Sequence, residues 1–242
     1  MGNKSYEEIF RLRASDYDRY NRVNMSTILD LCQDIAGVHA EELHVSYEEM
    51  LAEDKIWMVL RTKIEVLKYP PLFANVLVRT WPLKPNRVDM DRDYLIMSKD
   101  GKETYFKVVS KWVACTYSTR RLVRARDIHF DVDAYEETSL FEGPFNKLDL
   151  PEEHEYQSNI VTSTFLDLDH NGHINNVKYF NYIIISIEEL QDKVIKNMQI
   201  DYIHELSKDT PIEIRYFKEN NIFDVKGISN DIESFVAKIE VE

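Results

Sequence analysis

Cysteine is scarce in this chain: Cys32 and Cys115 are the whole supply in 242 residues. Two thiols make at most one disulfide, and no CxxC pair or Cys/His cluster accompanies them, so structural zinc is disfavoured and a reducing, cytoplasmic setting is expected. Positive charge is in deficit as well, with 30 Lys and Arg against 43 Asp and Glu and a formal net charge of −13. That balance speaks against nucleic acid as the main partner, because binding a phosphate backbone takes clustered cations. No apolar run is long enough to span a bilayer. The amino terminus MGNKSYEEIFRLRAS has no signal-peptide core, and the Met1-Gly2 start of a myristoylation pattern fails at Tyr6, where Ser or Thr is needed. Neither a membrane span nor a targeting signal is therefore expected. The apolar content of 44% is ample for a core, in one large domain or two small ones.

The densest chemistry lies between Asp167 and Asn176, where ten residues hold two carboxylates, three amides and two imidazoles. The chain then turns apolar: VKYFNYIIISI, from Val177 to Ile187, has eight apolar residues in eleven. This is too apolar for a surface helix and too short for a membrane span, so a helix buried in a core is expected. Asn175 or Asn176 is the candidate N-cap, with Asp169, Asn171 and His173 on the loop ahead of it. The polar groups would then sit at the mouth of an apolar interior.

The frame Asp-x-Asp-(x4)-Val/Ile-Asn occurs twice. Asp16, Asp18, Val23 and Asn24 map onto Asp167, Asp169, Ile174 and Asn175 at an offset of 151. A helix-period segment follows the first copy too, with Ile28, Leu31, Cys32 and Ile35 at i, i+3, i+4 and i+7. Further on, IEV at 64–66 and VLVR at 76–79 match IDY at 200–202 and IEIR at 212–215 at an offset of 136, about fifteen residues shorter. Shared order among such words indicates a diverged duplication. Alternation in 87–96, an Asp100-Gly101 turn, and turns at Asn220-Asn221 and Asn230-Asp231 predict antiparallel strands. Each half thus reads as a helix followed by an antiparallel meander, a sheet curled around one central helix. Residues 127–155, with ten acidic residues, one Lys, two Pro and one Gly, read as a surface linker between domains at about 1–126 and 156–242. Arg120, Arg121, Arg124 and Arg126 form the one basic cluster where an acidic partner could dock.

With these residues in view, DLDHNGHINNVKYFNY resembles the signature of acyl-acyl-carrier-protein thioesterases, in which Asp-x-Asn-x-His precedes Val/Ile-Asn-Asn-x-x-Tyr. IEVLKYP at 64–70, RTW at 79–81 and STRRL at 118–122 also resemble the family, so the likeness spans nearly the whole chain. The resemblance implies an α+β tandem (double) hot-dog fold and hydrolysis of fatty acyl-acyl-carrier-protein thioesters, with no metal or organic cofactor. Its catalytic set carries over to Asp169, Asn171, His173 and Glu205. Plant members carry Cys directly after that Glu, whereas this chain has Leu206, so a cysteine nucleophile at that position is excluded. Tyr20, Arg22 and Tyr69 stand at the first-half positions of Asn171, His173 and Glu205, which points to one active centre in the second half and an acyl-binding, catalytically silent first half.

Either Glu205 or His173 is the expected base for water. Asn171 would orient the water or the imidazole, Asp169 would fix the loop, and backbone N–H groups among Asn175, Asn176 and Val177 would hold the oxyanion. The partner implied is acyl carrier protein, met through the arginine cluster. The sequence is compatible with a homodimer without requiring one. An acyl-CoA thioesterase would use the same residues, a hot-dog dehydratase resembles the signature less, and a non-catalytic acyl-binding protein would have no need of the polar set.

Overall fold

The computed structural model describes residues 4–128, 135–136, 138–151, 155–169 and 172–242. It divides into two compact units, Met1–Phe145 and Asn146–Glu242, and the division falls inside the acidic stretch 127–155.

In unit 1 a first strand, β1 (Tyr6–Arg11), is followed by a long helix α1 (Met25–Glu42), a short helix α2 (Tyr47–Ala52), and strands β2 (Lys55–Val66), β3 (Asn75–Pro82), β4 (Asp89–Ser98) and β5 (Thr104–Thr116). The strands pair antiparallel in the order β1-β3-β4-β5-β2. All four apolar positions of the helical period, Ile28, Leu31, Cys32 and Ile35, are buried, and α1 lies against β1 and β3. Unit 2 repeats the plan with β6 (Gln157–Thr162), α3 (Asn176–Ser186), a one-turn α4 (Glu188–Gln191), β7 (Ile195–Tyr202), β8 (Pro211–Glu219), β9 (Ile222–Ser229) and β10 (Ile232–Val241). Its strand order, β6-β8-β9-β10-β7, is the same order with each strand replaced by its repeat, and α3 lies against β6 and β8.

The duplication extends to register. Tyr6 faces Thr80 in unit 1, and Gln157 faces Tyr216 in unit 2, positions related by the two sequence offsets. The shortening of the second half falls between helix and sheet: α1 has 18 residues against 11 in α3, and β2 has 12 against 8 in β7. Each unit is a hot-dog, an antiparallel sheet wrapped around one apolar helix, and the fold class is α+β as the resemblance implied. Burying a side chain such as Ile183, fully enclosed on α3, is worth roughly 1.5–3 kcal/mol, so helix and sheet hold one another. Among the described residues no helix is long and apolar enough to cross a membrane.

Two local readings differ from the sequence expectation. The β4–β5 connection closes at Ser98 and Glu103 rather than as a two-residue turn at Asp100-Gly101. Asp100 Oδ1 accepts from the Ser98 hydroxyl at 2.7 Å, which widens the hairpin, and Gly101 takes the left-handed φ of 71°. The β9–β10 turn is the two-residue form predicted, with both Asn230 and Asp231 at positive φ. Alternation also fails in β4, where Arg92 and Asp93 are both buried. Arg92 donates to His39 Nδ1 at 3.0 Å on α1, while Asp93 accepts the Leu140 amide at 2.6 Å on the opposite face.

Candidate active site

A single 3-10 turn, Phe165–Asp167, leads into the polar loop of unit 2. The Asp167 carboxylate accepts from the Thr164 amide at 2.7 Å, and its carbonyl accepts from the Asn175 amide at 2.9 Å, which ties the loop at its base. Within the loop, Asp169 N–H donates to the His173 carbonyl at 2.8 Å, and Asp169 Oδ1 accepts the His173 N–H at 3.1 Å. Gly172 closes the turn by donating to the Asp169 carbonyl at 3.0 Å, with φ at 78°, a conformation that favours glycine. Asp169 thus fixes the backbone of His173. Asn171 and His170 lie outside the described residues.

Asn175 caps α3, its Oδ1 accepting from the Val177 amide at 3.0 Å. Such a cap contributes about 1 kcal/mol. The capping bonds narrow the choice of oxyanion donors. The Asn175 amide is engaged by Asp167 and the Val177 amide by the cap, whereas the Asn176 amide stands at the first helical position, where no intrahelical acceptor exists.

The opposite side of the site comes from the segment after β7. Ile203 and His204 both donate their amides to the Ser234 carbonyl, at 2.8 and 3.0 Å. Leu206, buried, donates its amide to the Tyr179 hydroxyl of α3 at 3.2 Å. Glu205 lies between these anchors and brings Oε2 to 3.8 Å from His173 Nε2. That separation exceeds a direct hydrogen bond, but one water can serve both groups across it. The His173 side chain is 37% exposed and that of Glu205 49%, so both are within reach of a substrate. Of the four residues carried over from the resemblance, the fold therefore brings Asp169, His173 and Glu205 together. His204 is exposed beside them.

The four arginines lie in unit 1, all exposed, between the turn after β5 and the single 3-10 turn Ala125–Asp127, which holds Arg126. Arg120 takes a positive φ of 54°, with its guanidinium 5.6 Å from the Tyr117 ring, and Arg126 lies 3.6 Å from Asp127. Cys32 and Cys115 are buried thiols, and burial pushes the Cys32 thiol up, away from thiolate chemistry.

Profiles of known families match the chain over most of its length: the acyl-ACP thioesterase N-terminal domain over residues 3–131 and the acyl-ACP thioesterase C-terminal domain over residues 151–239. The chain belongs to the acyl-ACP thioesterase family. Family relatives include the chloroplastic oleoyl-acyl carrier protein thioesterase of Coriandrum sativum, 27% identical over 86% of this chain and 61% of its own length. The oleoyl-acyl carrier protein thioesterase 2 of Arabidopsis thaliana is 27% identical over 86% of this chain and 62% of its own. This chain thus spans about three fifths of these plant relatives. Among solved structures, an acyl-ACP thioesterase from Bacteroides thetaiotaomicron superposes with a TM-score of 0.87 at 22% identity, covering 99% of this chain and 98% of that one. The 12:0-ACP thioesterase from Umbellularia californica gives 0.88 at 20% identity, with 100% and 98% covered. At these identities the superpositions speak for the fold, which is shared end to end.

Proposed function

We propose that the protein hydrolyses the thioester of a fatty acyl-acyl carrier protein, releasing the free fatty acid and so ending fatty acid synthesis. The observation that carries this reading is the approach of Glu205 to His173 at the mouth of α3, in a chain of this family. A thioester needs little help from a general acid, because the leaving thiol has a pKa near that of cysteine, about 8.5. What the reaction needs is an activated water and a place for the oxyanion. In this reading the Glu205–His173 pair takes a proton from water as its oxygen attacks the carbonyl carbon. Asn171 orients that water or the imidazole. The Asn176 amide, at the positive end of α3, faces the developing oxyanion. Collapse of the tetrahedral intermediate breaks the C–S bond, and the phosphopantetheine thiolate leaves to be protonated by the conjugate acid of the pair.

Unit 1 takes the acyl chain and, through Arg120, Arg121, Arg124 and Arg126, the acidic carrier, in a cytoplasmic setting. The test is thiol release from a matched panel of acyl-carrier-protein and acyl-CoA thioesters. The expected result is turnover with a higher kcat/KM for the carrier-bound series. Preference for CoA would shift the reading to an acyl-CoA thioesterase, and tight binding with no thiol release to an acyl-binding protein.

A further inference from the structure

The anchors on the Glu205 segment differ in origin. The Ser234 carbonyl that accepts from Ile203 and His204 has a counterpart in unit 1, where the Tyr105 carbonyl accepts from Leu67 at 2.9 Å and Lys68 at 3.2 Å. That clamp belongs to the fold, since the silent half keeps it. The bond from the Leu206 amide to the Tyr179 hydroxyl has no counterpart. At the first-half position of Tyr179 stands Ile28, with no hydroxyl, and at that of Leu206 stands Pro70, with no N–H. Donor and acceptor are both missing from the half that also lacks the glutamate.

We propose that Tyr179 is a positioning residue for the thioesterase reaction, its hydroxyl holding the peptide after Glu205 so that the carboxylate stands beside His173. This rests on the reading of Glu205 and His173 as the reacting pair. The tyrosine is well placed to set a distance. Its ring is buried and meets Tyr202 of β7 and Phe235 of β10 edge-on, each at a centroid separation of 5.2 Å. Phe235 in turn lies over Gly227, where a Cβ would run into the ring, so the stack is backed by the sheet itself. Burial pushes the hydroxyl up to about 12, which keeps it an O–H at any working pH. Tyr179 lies three residues along the helix from Asn176, so one rigid element carries both the oxyanion amide and the anchor of the base.

Tyr179→Phe removes the hydroxyl and keeps the ring. The expected result is a fall in kcat of about tenfold to a hundredfold, the scale of a small misplacement of a reacting group, with KM within about threefold. The pH profile of kcat/KM should shift as well, because the carboxylate and imidazole no longer sit at a fixed separation. A backbone ester in place of the Leu206 amide removes the donor without touching either side chain. It should reproduce the loss, and combined with Tyr179→Phe it should be no worse than either change alone. Wild-type kcat and an unshifted pH profile in Tyr179→Phe, or additive losses in the combination, would overturn the proposal. Glu205→Gln is run alongside. If it is inactive while Tyr179→Phe is fully active, the positioning role fails and the base assignment stands; if Glu205→Gln keeps full activity, both fall.

Discussion

The loops that open at Asp18 and Asp169 are closed by the same bonds and differ in what they present. In each, the aspartate amide donates to the carbonyl four residues on at 2.8 Å, and its Oδ1 accepts the amide of that residue, at 2.9 Å in unit 1 and 3.1 Å in unit 2. Asn21 and Gly172 take the same left-handed turn, at φ 62° and 78°. Asp16 and Asp167 accept the amides of Asn24 and Asn175 through their carbonyls, both at 2.9 Å. Because unit 1 keeps every one of these bonds, the aspartates are scaffold, and in the proposed reaction Asp169 acts only by holding His173. The contrast lies at the next position. Arg22 folds back onto Asp18, Nε to Oδ2 at 2.7 Å, with its guanidinium 4.7 Å from the Tyr20 ring, and closes the loop on itself. His173 instead faces the neighbouring Glu205. At the first-half place of Glu205, Tyr69 packs edge-on against Phe106 at 5.8 Å.

The most forceful way to break this comparison is to mutate the two loops in parallel. Glu205→Gln, His173→Ala and Asn171→Ala are each predicted to lower kcat by roughly 10²-fold or more, the scale of losing a base or its orienter. Tyr69→Ala, Arg22→Ala and Tyr20→Ala should leave kcat within a few-fold. Steady-state kinetics on one acyl-carrier-protein substrate decides between them, and comparable losses in both series would mean that unit 1 takes part in the chemistry.

Much of this contrast was legible in the sequence, because duplication supplies an internal control. The Asp-x-Asp-(x4)-Val/Ile-Asn frame located both loops, and the exchange of Asn171, His173 and Glu205 for Tyr20, Arg22 and Tyr69 set their side chains apart. The fold was legible as well: periodic apolar positions in α1 and a largely apolar α3 each demanded an enclosing sheet. Bonds made through peptide groups were not legible. The Ile28/Tyr179 and Pro70/Leu206 differences were visible as letters, but only the fold puts the Tyr179 hydroxyl 3.2 Å from the Leu206 amide. The burial of Asp93 was hidden likewise, since it depends on Ser139 and Leu140 coming from a stretch that reads as an acidic linker.

Asp93 sharpens the comparison on the side of stability. Its repeat in β9 is Asp224, which faces Lys238 across the sheet and pairs with it at 3.4 Å, while Asp93 faces Val109. Burial raises the Asp93 carboxyl from 3.8 to about 6, against the opposing pull of the Leu140 amide. A pKa higher in the folded than in the unfolded state means that ionisation costs stability. The cost is fully present above about pH 6 and is relieved as pH falls toward 4. From the shift it is about 3 kcal/mol at neutral pH. Asp93→Asn removes the titration, so the stability of the variant minus that of the wild type should rise by about this amount between pH 4 and pH 7. Urea melts across that range provide the check, and a flat difference curve would show that the carboxylate is compensated in the folded protein.

A smaller effect is expected at the arginines, which belong to unit 1 yet would serve the reaction in unit 2. Carrier proteins are acidic and this chain carries −13, so encounter needs a local positive surface. Arg121→Ala with Arg124→Ala is predicted to raise KM for carrier-bound substrate several-fold at similar kcat, with the effect shrinking as salt is added. Acyl-CoA, with few protein contacts, should respond less. Equal changes for the two carriers, or none, would place the docking surface elsewhere.

The smallest expected effect is at the cysteines, and it bears most directly on which half does the chemistry. Both thiols lie in unit 1, both are buried, and the residue after Glu205 is Leu206, so nucleophilic attack by sulfur would have to come from unit 1. Water attack at the Glu205–His173 pair requires neither. Cys115→Ser and Cys32→Ser should keep kcat within a few-fold, although placing a hydroxyl in the α1 core at position 32 is expected to cost about 1–3 kcal/mol of stability. Cys32→Ala separates the two effects, since it removes the sulfur without burying a polar group. If that variant remained folded by circular dichroism yet released no thiol, a covalent mechanism centred on unit 1 would replace hydrolysis by activated water, and the silence of the first loop would have to be explained anew.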